Sequence, residues 1–94
     1  MKPLYLIVHP ELITKLTKLA RPEKNAELER ILKEEDYIIL EAPWSQIPSD
    51  IPKDRLIRVC GIYLESCVQQ AYDDLAYDGY EVQIYKPATF GEPQ

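Results

Sequence analysis

The chain has 94 residues, with 11 basic against 16 acidic side chains and a net charge of −5. That length holds one domain with a single modest core. The acidic balance and the lack of any Lys/Arg-rich run exclude recognition of a nucleic-acid backbone, which needs clustered cations. No apolar run is long enough to span a bilayer, so no membrane partner is expected. The start, MKPLYLIVHP, lacks the length and small-residue cleavage site of an export signal. Two cysteines without such a signal fit a reducing cytoplasm. With a single histidine beside them they build no known metal-ligand spacing, so neither metal nor cofactor is expected.

Residues 4–8 (LYLIV) form an unbroken apolar run of strand formers, the pattern of a strand buried on both faces of a parallel sheet. His9-Pro10 ends it, because the residue before proline is held extended and proline carries no N–H for the ladder. From Pro10 the spacing predicts a short helix over 10–20, with Leu12, Leu16 and Leu19, joined by Ile13 and Ala20, on its apolar stripe. Arg21-Pro22 interrupts it, and Pro22 is placed to open a second helix. Ala26, Leu28, Ile31 and Leu32 give that helix a thinner apolar face, and the run KEED at 33–36 reads as its solvated end.

Residues 37–40 (YIIL) read as a second buried strand. From 43 to 54 come three prolines and two serines without helical period, an irregular crossover in which Trp44 is expected to cap the core. Residues 56–60 (LIRVC) make the third strand, Gly61 a turn, and 66–78 a helix. Its apolar set is Val68, Ala71, Tyr72, Leu75 and Ala76, and Gly79 stops it. The last strand, 80–85, alternates apolar and polar residues as an edge strand does. Lys86-Pro87 is expected to end it, and 88–94 to be a flexible tail.

Four strands separated by helical or long connections, with no hairpin signal, predict one α/β domain over 1–94. The expected architecture is a small open parallel sheet of about four strands, order 2-1-3-4, in a Rossmann-like three-layer arrangement with sparse helices. So few helices leave part of the sheet uncovered, and a homodimer is expected to hide the remainder.

Gly61-Ile62-Tyr63-Leu64-Glu65-Ser66-Cys67-Val68, continued by Ala71, Leu75, Gly79-Tyr80-Glu81-Val82 and Ala88-Thr89, resembles the isochorismatase-like cysteine hydrolases, a group that includes nicotinamidases and N-carbamoylsarcosine amidases. The shared pattern is a strand, a glycine, five residues, then Cys-Val opening a helix that ends in Gly-Tyr-Glu. It covers roughly the C-terminal third of the chain. The resemblance implies a small amide or related compound as substrate, with Cys67 as the nucleophile. In the family an aspartate ends the first strand and a lysine completes the triad. Here His9 stands at the aspartate's place, and the segment that carries the lysine has no counterpart.

The residues carry their own chemistry beside that resemblance. A cysteine at a helix N-terminus is where exposed N–H groups favour the thiolate and can hold an oxyanion. His9, at the carboxyl end of the first strand, is placed to act as its base, and a Cys-His pair is a workable nucleophile and base. Gly61 and Ile62 line the turn. Glu65 precedes the thiol by two residues, and Glu41 and Lys86 are expected to end strands on the same edge, where they would orient a polar ligand. The alternative is a trimmed, non-catalytic relative kept as a binding or dimer-forming module.

Overall fold

The computed structural model describes residues 2–41, 47–48 and 50–91; the expected cap, Trp44, lies outside them. Strand β1 (Leu4–Val8) is buried at all five positions because it has a parallel neighbour on each side and helices across both faces. It pairs with β2 (Tyr37–Leu40) from Tyr5↔Tyr37 to Val8↔Leu40. On its other side it pairs with β3 (Ile57–Ile62) from Leu4↔Ile57 to Val8↔Gly61. β4 (Val82–Phe90) lies outside β3, also parallel, and the four-stranded sheet has the order β2-β1-β3-β4. The observed sheet therefore has the predicted order, and the fold is α/β.

The period-2 pattern of β1 and β3 splits the core in two. Leu4, Leu6, Val8, Ile57 and Val59 turn to the face covered by α3 (Gln69–Tyr77), where Val68, Ala71 and Leu75 meet them. Tyr5, Ile7, Cys60 and Ile62 turn to the other face, where Leu28 and Ile31 of α2 (Pro22–Glu34) and Ile13 close over them. Leu75 and Ile31 are fully buried, and each such side chain contributes about 1.5–3 kcal/mol. The Arg55 guanidinium ties the sheet's amino end together. It donates to the carbonyls of Lys2 and Pro3 at 2.9 and 3.1 Å and to the Asp36 carboxylate at 3.0 Å.

Four local expectations are corrected. Residues 10–20 are not one helix: a 3-10 turn spans Pro10–Leu12, and Ile13 is extended. Thr14 then caps α1 (Lys15–Ala20), its hydroxyl accepting from the Thr17 N–H at 3.1 Å. Ile13 alone is drawn into the core, and Leu12, Leu16 and Leu19 are left exposed. Pro22 opens α2 as expected. YIIL is not buried throughout: α2 reaches across to β4, and Tyr37 and Ile39 on the edge strand remain about two-fifths exposed. The thiol-bearing helix begins earlier than expected, with Leu64–Val68 in a π-type turn that runs into α3.

The fourth correction concerns the C-terminus. Lys86-Pro87 does not end β4. Between the pairs Val59↔Ile84 and Gly61↔Thr89 the register shifts, so 85–88 stand opposite Cys60 as a bulge and the strand rejoins β3 at Thr89 and Phe90. Proline is tolerated there because the bulged residue needs no ladder partner. Ala88, Thr89 and Phe90 are buried, so they belong to the domain rather than to a tail.

Candidate functional site

β1 and β3 are adjacent in the sheet, but their following segments leave toward opposite faces, one to α1 and α2 and the other to α3. A crevice opens at the carboxyl ends of such strands, where ligands bind in open α/β sheets. The first wall is His9. Its backbone is left-handed, φ 50° and ψ 49°, a conformation uncommon outside glycine. Its N–H donates to the Leu40 carbonyl at 2.8 Å, and its carbonyl accepts from the Leu12 N–H at 3.0 Å. The side chain is buried, with Nδ1 3.8 Å from Glu11 Oε1.

The second wall is the end of β3. Gly61 sits at φ 107° against Val8, where a β-carbon would lie 2.1 Å from the Val8 carbonyl oxygen. Only glycine permits this approach. Ile62 is buried on the α2 face, and the Ile62–Tyr63 peptide is cis. The Tyr63 carbonyl accepts from the Ser66 and Val68 N–H groups at 3.1 and 3.0 Å, which closes the turn around Cys67. Cys67 is partly buried against the α3-side core.

The expected site residues are not all brought together. His9, Gly61, Ile62 and Cys67 flank the junction of β1 and β3. Glu65 lies against Gly91, its Oε1 3.2 Å from where a β-carbon would sit on that glycine. Glu41 follows the edge strand β2 and is exposed. Lys86 does not end a strand on this edge; it lies in the β4 bulge, its carbonyl accepting from Lys24 Nζ at 2.7 Å beside the start of α2. It is therefore removed from the group around Cys67.

Sequence reasoning missed the wall made by Thr89 and Phe90, which pair with Gly61 and Ile62. The Thr89 hydroxyl donates to the Tyr85 carbonyl at 2.7 Å and holds the bulge closed. Its signals were Ala88-Thr89 in the family resemblance and the run Ala88-Thr89-Phe90 after Pro87, set against the expectation of a tail from 88.

A second polar group lies on the α2 face. Arg58 stacks over the rings of Tyr5 and Tyr85 at 5.8 and 5.3 Å and donates to the Tyr5 hydroxyl at 2.9 Å. The Tyr85 hydroxyl donates to Glu27, which Arg30 also grips through Nε and Nη2 at 2.6 and 3.0 Å. The Arg30 contact, ahead of the Tyr85 one, holds the Glu27 carboxyl below its usual range. Glu27 in turn raises the Tyr85 phenol. Burial, with Glu27 adding to it, pushes the Cys60 thiol up to about 12.

No group of three or more His, Cys, Asp or Glu side chains among the described residues is arranged to hold a metal ion. Among those residues no helix is long and apolar enough to cross a membrane. No protein-family model, curated protein or solved structure matches the chain.

Proposed function

We propose that this is a minimal isochorismatase-like protein, a cytoplasmic cysteine hydrolase acting on a small amide or related compound without metal or cofactor. The observation that supports the reading is Cys67 in the turn leaving β3, packed against the core cluster that includes Val8 at the end of β1. In the proposed reaction His9 accepts the Cys67 proton, and the sulfur bonds to the amide carbon as the carbonyl electron pair moves to oxygen. The Cys67 N–H stabilises that oxyanion. Collapse breaks the C–N bond, and the nitrogen takes the proton back from His9 and leaves as ammonia. Water then cleaves the thioester, giving the carboxylate and restoring the thiol.

A non-catalytic relative that serves as a binding or dimer-forming module is the second reading. It is favoured by the displacement of Lys86 to the α2 side and by His9 in place of an acid at the end of β1. Ammonia release from a panel of small primary amides and N-carbamoyl compounds distinguishes the two. The hydrolase reading expects release that Cys67→Ala abolishes and His9→Ala lowers by about 10²–10⁴-fold. A Cys67 thiol that alkylates with a pKa near about 8.5, unchanged by His9→Ala, removes the dyad and leaves the binding module.

A further inference from the structure

Among the described residues α1 touches α2 but packs no side chain into the core. It has six residues and buries none of them, while Leu16 and Leu19 stand 77% and 70% exposed. A helix this short is marginal in water unless an apolar face is packed. Its surroundings are basic: between Leu12 and Arg21 lie Lys15, Lys18 and Arg21 and no acidic residue, in a chain of net charge −5. Lys15 occupies the first turn, where the helix dipole disfavours a cation. Next to it is an open cavity of about 240 Å³ lined by Ala20, Arg21, Pro22, Glu23 and Lys24.

The complement of this patch lies on α3. Tyr77 is 92% exposed, the most exposed large hydrophobic side chain among the described residues. Asp73 shares its face at i−4, with Asp74 and Asp78 alongside, and 69–78 contain no basic residue. These acids sit in the second half of the helix, where the carbonyl end of the dipole repels them. Lys53 Nζ donates to the Asp78 backbone carbonyl at 2.9 Å and Gln69 to the Asp73 carboxylate at 3.0 Å, and α3 itself carries no basic residue. α1 thus carries Lys15 at the end its own dipole disfavours, with Lys18 and Arg21 at the end it favours, and α3 carries Asp73, Asp74 and Asp78 at its disfavoured end; the two sets are opposite in sign.

We propose that α1 of one copy docks on α3 of a second copy. Leu16 and Leu19 pack around Tyr77, the Tyr77 ring enters the cavity beside Ala20, and Lys15, Lys18 and Arg21 face Asp73, Asp74 and Asp78. The partner is another copy of this chain because it supplies both halves of the match. The two patches lie on opposite faces of the sheet, α1 with α2 and α3 against the other core. The contact is therefore heterologous: two copies pair with one patch of each kind left over, and further copies add head to tail. The inference does not depend on the reading of Cys67.

Sedimentation equilibrium of the full chain tests it. Association should rise with concentration and weaken by about tenfold between low salt and about 0.5 M salt, because exposed charges are screened. Leu16→Asp with Leu19→Asp, and separately Asp73→Lys with Tyr77→Lys, should each be monomeric. All four positions are solvent-facing, and circular dichroism confirms that each variant is folded. Mixing the two variants should restore one-to-one pairs and nothing larger, since each keeps the patch the other lost. A wild-type chain that stays monomeric, association insensitive to either variant, or a mixture that stays monomeric overturns the proposal. So does a wild-type chain that stays monomeric but binds phosphatidylserine vesicles through Leu16 and Leu19.

Discussion

Replacing Gly61 by alanine tests the close approach of β3 to Val8 of β1. The added β-carbon would sit 2.1 Å from the Val8 carbonyl oxygen, 2.7 Å from its nitrogen and 2.9 Å from its carbonyl carbon, all backbone atoms of the central strand. No rotamer change relieves such a clash, so β1 and β3 must part. Overpacking of this kind costs about 1–3 kcal/mol, and an alanine held at positive φ adds about 1–3 kcal/mol of strain. The expected loss is about 2–6 kcal/mol, out of roughly 5–14 kcal/mol for a domain of this size.

Gly79→Ala supplies the control. Gly79 has φ 89° with nothing within 4 Å of the added carbon, so only the strain applies. Its expected cost is about 1 kcal/mol. Urea denaturation followed by circular dichroism reads both; with a slope of about 1–3 kcal/mol per molar, the Gly61→Ala midpoint should fall by about 2 M. Equal losses for the two variants would refute the close approach of β3 to Val8.

The native protein should take up one equivalent of iodoacetamide, at Cys67, and two after denaturation. Cys60 is fully buried and its thiol is pushed up to about 12; mass spectrometry showing Cys60 labelled at a comparable rate in the native state contradicts that burial. Tyr85→Phe should cost about 1 kcal/mol at neutral pH, since it removes one partly exposed hydrogen bond to a charged carboxylate. The lowered Glu27 contributes stability that is fully present above the ordinary carboxylate range and is lost as pH falls from there through the lowered folded value. The raised Tyr85 contributes stability that is fully present below the ordinary phenol range and is lost as pH rises through its folded value. The gap between wild type and variant should therefore close at both extremes, and a gap independent of pH argues against the pair. Leu75→Ala should lower stability by about 2–5 kcal/mol in a thermal melt. Leu16→Ala, at a helix surface, should change it by about 0.5 kcal/mol or less in dilute protein. Similar losses for the two would mean that α1 is packed within the single chain.

The parts of the fold that were legible are those where one local pattern had one reading. The unbroken run of Leu4–Val8, bounded by His9-Pro10, reads as a strand covered on both faces, and it is buried at all five positions. The helical set Val68, Ala71, Leu75 with Gly79 behind it identified the helix and its end. Parallel order followed from the lack of hairpin turns, and the junction carrying His9, Gly61 and Cys67 followed from that order. The errors have a common cause. Lys86-Pro87 looks terminal because proline cannot donate to a ladder, yet a bulge removes the need for that donor. Leu12, Leu16 and Leu19 look like a buried stripe, but Thr14 begins a new helix and turns two of them outward.

The amino-acid sequence by itself determined that the domain is α/β, where its four strands begin, their order in the sheet, and that Cys67 follows the third strand. These depend on periodicity and on residues with a single steric role, such as Gly61 and Gly79. Tertiary structure decided which apolar faces found cover, since α2 can span only part of one sheet face and its path toward β4 leaves Tyr37 and Ile39 bare. It also decided that Thr89 and Phe90 rejoin the sheet beside Gly61 and Ile62, and that Lys86 lies in the β4 bulge next to α2. Burial is a property of what packs against a face, and no local pattern states whether a partner will be there.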